Sequence, residues 1–199
     1  MLIKLANRLD GRVNALIDEV KPFIGTGDIS GGDARRVEHI VMQLQNVWEL
    51  YMREFVLNSA VGNATDKSGP VKSLLQERIH SKEHASYVLI SKYKRRRNEP
   101  DWYKPADIAD AVVKLNLTNQ PKIIGAVGAT PWPLDDLRHV RNFIAHRSKR
   151  AAEEVRSLPW FGQHDRIDVG STAFAYLPGG ATNIEVWAQQ IKDVGSAML

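Results

Sequence analysis

The chain has 199 residues, 43% of them hydrophobic and 25% charged, with no cysteine. Its length suits one domain and its apolar share supplies a core, which excludes wholesale disorder. The lack of cysteine excludes disulfide scaffolds, Cys-ligated zinc, iron–sulfur clusters and thiol nucleophiles. Twenty-seven Lys and Arg against 23 Asp and Glu give a formal charge of +4, which admits a polyanionic partner without requiring one.

Residues 2–24 predict an amphipathic helix. Leu2, Leu5, Leu9, Val13, Leu16, Ile17 and Val20 recur at three- and four-residue steps, with Arg8, Arg12 and Asp18 between them. The alternation of charged and apolar residues over 1–10 is not that of a signal peptide. The Gly-rich stretch 25–32 ends this helix, and Asp33 is placed to cap a second, long one. Its stripe runs Val37, Ile40, Val41, Leu44, Val47, Trp48, Tyr51 and Phe55, as far as Gly62. The polar run 62–69 reads as a loop, and Pro70 as the first residue of a short helix carrying Val71, Leu74, Leu75 and Ile79.

Residues 81–91 suit a helix or a strand, and with no partner strand nearby the helix is preferred. Another helix spans 105–115. The segment 116–133, with Pro121, Pro131 and Pro133, reads as loop with one apolar turn. A long helix covers 134–157, ended by Pro159 and Gly162; 160–180 reads as irregular, and the last helix covers 183–194. The longest apolar runs, such as 87–90, fall far short of the roughly 20 residues of a membrane helix. The expected fold is all-α: an up-and-down helical bundle with a long second helix and an irregular Gly-rich segment before the last helix, in one domain over 1–199.

The chemistry concentrates on the helix at 134–157. At about 100° per residue, Leu137, Val140, Ile144, Ala151 and Val155 gather in an apolar arc. Asp135, Arg138, His139, Arg141, Asn142, His146 and Lys149 fill the opposite face. Spacing alone describes an ordinary surface helix. The order Arg141-Asn142-Phe143-Ile144-Ala145-His146, however, resembles the signature of the HEPN superfamily: an Arg, four to six residues, then a His, often with a polar residue straight after the Arg. A late motif helix and a long second helix with Trp48, Glu49 and Tyr51 are also similar to HEPN proteins of the defence and toxin–antitoxin type. The likeness is firmest over 33–157, although 80–133 and the Gly-rich 162–180 match no named pattern.

The resemblance implies an endoribonuclease that uses no metal and no cofactor, acts as a homodimer in the cytoplasm, and serves as a toxin or abortive-infection effector. RNA is the implied substrate, with an antitoxin or other regulatory protein as a further partner and no membrane. By this reading His146 transfers protons, Arg141 stabilises charge on the phosphate and Asn142 orients it, while Arg138, His139 and Arg147 are neighbours without a catalytic assignment. The residue types suit the reaction. Attack by the neighbouring 2′-OH needs a base, an acid for the leaving 5′-oxygen, and positive charge on the phosphorane. Imidazole titrates near neutrality, and guanidinium stays charged and matches phosphate oxygens. One chain carries one motif, and a two-fold dimer packing the motif helices together would supply two. The alternatives are a non-catalytic HEPN module that binds RNA or a partner protein, and a helical interaction protein with a chance motif.

Lys92, Lys94, Arg95, Arg96 and Arg97, followed by Trp102 and Tyr103, make a second basic candidate. Phosphate-tracking cations beside stacking rings suit single-stranded RNA, and a solvated helix end is the plainer reading. His80-Ser81-Lys82-Glu83-His84 matches the inverted zincin pattern but lacks its apolar helical setting and a further acidic ligand. The glycines of 25–32 follow a helix instead of a strand, and no G-K-[ST] occurs, so loop chemistry accounts for them. Trp48 and Tyr51 are expected in the core, and Glu49 on the helix surface.

Overall fold

Seven apolar residues at helical spacing build α1 (Leu2–Val20), which a 3-10 turn over Lys21–Phe23 closes. The computed structural model describes residues 1–25, 29–93, 98–129, 132, 134–161 and 167–199. Among these the chain is all-α, with nine α-helices and one small hairpin. No helix among them is long and apolar enough to cross a membrane.

The long second helix is present as α2 (Gly31–Val61), but its cap is not Asp33. Ser30 Oγ accepts from the Asp33 backbone N–H at 3.3 Å and donates to the Asp33 carboxylate at 2.5 Å. Asp33 is therefore the third residue of a reciprocal cap, where its charge also suits the helix dipole.

The largest departures follow α2. The expected loop at 62–69 and the helix starting at Pro70 are instead a hairpin, β1 (Ala64–Asp66) against β2 (Gly69–Val71), with Thr65 opposite Pro70. Asp66 Oδ1 accepts from the Ser68 N–H at 2.6 Å and sets the turn. The backbone beyond it stays extended because it has partners elsewhere in the chain. Leu74 N–H donates to Asn116 O at 2.8 Å, Thr118 N–H to Lys72 O at 3.0 Å, and Ser73 Oγ to Leu115 O at 2.7 Å. These bonds replace the intrahelical ones that Val71, Leu74 and Leu75 would have made.

The remaining helices are α3 (Lys82–Ser91), capped by Ser81, α4 (Pro105–Lys114), α5 (Gln120–Val127), α6 (Asp135–His146), α7 (Lys149–Arg156), α8 (Val169–Phe174) and α9 (Asn183–Ala197). The loop expected over 116–133 thus contains α5, where Pro121 occupies the first turn, a position that needs no N–H donor. The irregular stretch 160–180 contains α8, capped by Asp168, whose Oδ1 accepts from Ser171 N–H at 2.7 Å.

The described chain divides into two compact units: residues 1–10, 48–132 and 192–199, and residues 11–47 and 133–191. In the first, Trp48, Met52, Phe55, Leu57, Leu89, Ile108, Leu115 and Ile123 are fully buried, and α4 packs on α5. Trp48 lies 6.1 Å from Tyr51 and 6.0 Å from Trp132 between ring centroids, as expected of core residues. Tyr51 Oη donates to Gly195 O at 3.1 Å, and a Cβ on Gly195 would stand 2.6 Å from Leu9 Cδ2, so a larger residue there would force the Leu9 side chain to move. In the second, Val37, Ile40, Val41, Leu44, Leu137, Val140, Val155, Ile184, Trp187 and Ile191 form the core, and α6 packs on α7.

The first unit also holds a carboxylate with every oxygen in use. Arg53 grips Glu99 through Nε and Nη2, both at 2.6 Å, while Ser86 Oγ at 2.5 Å and Trp102 Nε1 at 2.9 Å donate to the same group. Burial pushes the Glu99 carboxyl up, yet the bonds from Arg53, Ser86 and Trp102 outweigh it and hold the group below its ordinary value of 4.5. Since the folded value is the lower one, this contribution to stability is complete above the ordinary carboxylate range and is lost as the pH falls below it. Urea unfolding between pH 7 and pH 3 is expected to show a steeper acid loss for the parent than for Glu99→Gln. Equal slopes would remove Glu99 from the account.

Candidate functional site

The motif helix is shorter than its sequence suggests. Arg147 takes the left-handed conformation, with φ 47°, and its N–H closes the helix on Phe143 O at 2.8 Å. Ser148 then turns extended and caps α7 by accepting from Ala151 N–H at 3.2 Å. The single helix expected over 134–157 is therefore two, and the wheel fails beyond His146. Lys149, Ala151 and Val155 belong to a new helix, although Ala151 and Val155 are still buried. Arg147 is kept in place by its guanidinium, which pairs with Glu38 of α2 and lies 4.9 Å from the Phe143 ring centroid. Ser148→Ala removes the cap and is expected to cost about 1 kcal/mol, a fall of roughly 2–4 °C in melting temperature at this size. A change below half a degree would show that the break stands without it.

Arg141, Asn142 and His146 all lie before the break, so their relation on one helix stands. Arg141 and His146 are about 140° apart around α6 and about 7.5 Å apart along it. Arg141 flanks the buried side. Its Nε is out of contact with water and has no hydrogen-bond partner among the described residues, while Nη1 donates to Asn142 Oδ1 at 3.3 Å. Neither the amide nitrogen of Asn142 nor the exposed ring of His146 makes a hydrogen bond among the described residues. The last two turns of α6 thus carry a guanidinium, an amide and an imidazole with most of their hydrogen-bonding capacity unspent among the described residues.

The polar groups that sequence reasoning set aside are the ones most fully bonded. Arg138 pairs with Asp135 at 3.0 Å, and its Nη2 lies 3.1 Å from His139 Nε2. His139 Nδ1 lies 3.2 Å from Glu154 Oε2 on α7, and Arg150 Nε donates to the other oxygen, Oε1, at 3.2 Å. Asp136 accepts from the Trp160 indole at 2.5 Å. The one sequence signal for this network is that His139 precedes His146 by seven residues, two turns up the same stripe. Its partner Glu154 lies beyond the unpredicted break.

The other described candidates belong to the first compact unit. Lys92 is exposed and ends α3, in the first compact unit; Lys94, Arg95, Arg96 and Arg97 fall outside the described residues. Trp102 is not a stacking ring on the surface: it is 7% exposed and its indole is committed to Glu99. His84 Nε2 lies 3.0 Å from Glu77 Oε1, and its ring stacks on His80 at 5.7 Å between centroids. Among the described residues no three of His, Asp and Glu are grouped to hold a metal ion. No protein-family model, curated protein or solved structure matches the chain.

Proposed function

We propose that the chain is a metal-independent endoribonuclease of the HEPN type, acting as a toxin or abortive-infection effector through a composite homodimer site. The observation that carries this reading is the unspent polar end of α6. Among the described residues Arg141 has a buried, unpartnered Nε and a single weak bond to Asn142, and His146 is exposed on the same helix, one turn beyond Asn142. A structural arginine at such a place would be expected to have its donors satisfied.

In the reaction, the 2′-oxygen of one ribose attacks the adjacent phosphorus as its proton passes to a base. The bond to the 5′-oxygen of the next nucleotide breaks as that oxygen takes a proton. The products are a 2′,3′-cyclic phosphate and a free 5′-hydroxyl, with no water consumed. His146 serves the proton transfers, and a second copy in the partner subunit lets one imidazole act as base and the other as acid. Arg141 meets the charge that grows on the non-bridging phosphate oxygens. Asn142, bonded to Arg141 Nη1, orients the guanidinium and offers its own N–H to the phosphate.

The test is purified full-length protein incubated with RNA in excess EDTA, with end-group analysis of the products and the solution mass measured alongside. Cleavage giving cyclic phosphate ends from a dimer is expected. RNA bound but uncut favours the non-catalytic binding module, and cleavage by a monomer removes the composite site.

A further inference from the structure

Two arginines lie on α6 ahead of His146, and one of them is already held in a fixed pose. Arg138 donates from Nε to Asp135 at 3.0 Å and approaches His139 Nε2 through Nη2 at 3.1 Å. A guanidinium has donors only, so Nε2 must accept. The other ring nitrogen, Nδ1, faces Glu154 Oε2 at 3.2 Å. Arg150 binds the other oxygen of Glu154 at 3.2 Å. The bond to His139 draws the Glu154 carboxyl below its ordinary value, against burial and with help from Arg150. A chain of contacts therefore runs from α7 to α6: Arg150, Glu154, His139, Arg138, Asp135.

Its consequence is positional. Among the described residues two of the five guanidinium N–H groups of Arg138 are committed and three remain, on a side chain 28% exposed. A fork held in place before its ligand arrives loses little freedom on binding, and its planar edge matches two phosphate oxygens. Arg138 stands one turn from Arg141, about 4.5 Å along the helix and about 60° around it. A strand laid along α6 with one phosphate on Arg141 would bring a neighbouring phosphate to Arg138. The Glu154 charge near this position is answered by Arg150, while Asp135 is answered by Arg138 itself.

We propose that Arg138, held between Asp135 and His139, is a second phosphate-binding position, so that the substrate is a single-stranded RNA with a phosphate next to the scissile one. His139 and Glu154 are positioning residues for that arginine. The inference rests on the ribonuclease reading of Arg141 and His146, and it is testable by binding alone. The probes are 2′-O-methyl oligonucleotides, which cannot be cut: a dimer with one phosphate and a tetramer with three. Their binding to the full chain is followed by fluorescence anisotropy across a range of salt.

Arg138→Ala is expected to weaken the tetramer about tenfold and leave the dimer within about twofold, since one charge-assisted contact is lost. The slope of log affinity against log salt should fall by about 0.7, the value of one phosphate contact on a single strand. Glu154→Ala, which keeps the arginine but frees His139, should fall between parent and Arg138→Ala. Arg138→Gln repeats the measurement if the alanine variant does not fold. Equal weakening of both probes, or an unchanged salt slope, overturns the proposal. If the expected pattern appears but the parent cuts no unmodified RNA in EDTA, the phosphate position stands and the ribonuclease reading falls. A parent that binds neither probe overturns both.

Discussion

His146→Ala is expected to lower RNA cleavage in EDTA by about 10²–10⁴-fold, the usual contribution of a positioned proton-transfer group. Its effect on stability should be small. His146 is exposed and makes no hydrogen bond among the described residues, so the loss should stay within about 0.5 kcal/mol, as at other surface positions. That separation of activity from stability marks a residue that meets substrate. It is read by following a labelled oligoribonucleotide and the melting curve on the same preparations. Arg141→Lys should also fail to restore activity to Arg141→Ala, because an ammonium keeps the charge and loses the planar fork. A His146→Ala protein that cleaves as fast as the parent would end the catalytic assignment.

The largest effect on stability is expected at Trp48. Its ring is fully buried, with Tyr51 and Trp132 about 6 Å away between centroids. Truncation to alanine leaves a large apolar cavity and should cost about 3–5 kcal/mol. Trp48→Phe should cost far less, about 1–2 kcal/mol, for a specific reason. The buried indole Nε1 has no hydrogen-bond partner among the described residues, so phenylalanine removes ring volume without breaking a bond described there. Urea unfolding of both variants distinguishes the cases, and a Phe variant as unstable as the Ala variant would show that the indole N–H is bonded.

Where apolar residues repeat over many turns, the sequence was legible. The stripe from Val37 to Phe55 predicts α2 almost to its ends, and the same pattern predicts α1 and α9. Short elements were less so, because their backbone bonds are settled elsewhere in the chain. Pro70 suits a helix start and a hairpin edge equally well, and the Asp66 turn with the bonds from 72–74 to 115–118 selects the hairpin. Pro121 suggests a break and instead opens α5. The motif residues Arg141, Asn142 and His146 were found from their order in the chain. The bonds around Arg138 and His139 were not, since Glu154 comes back to His139 only after the chain turns at Arg147.

The 199-residue, cysteine-free composition and its helical periodicity by themselves determine an all-α chain and exclude thiol and Cys-ligated metal chemistry. Those are properties of residue type and local spacing, which act within a turn or two of helix. Only the tertiary structure decided that the motif helix stops at His146 and that Arg138 is held while Arg141 keeps a buried donor unspent. Arg147 at the break pairs with Glu38, the His139 that touches Arg138 meets Glu154 from beyond the break, and the Arg141 donor lies against a buried surface. Hydrogen bonds of that kind form only where folding has brought donor and acceptor together and removed the water that would otherwise satisfy them.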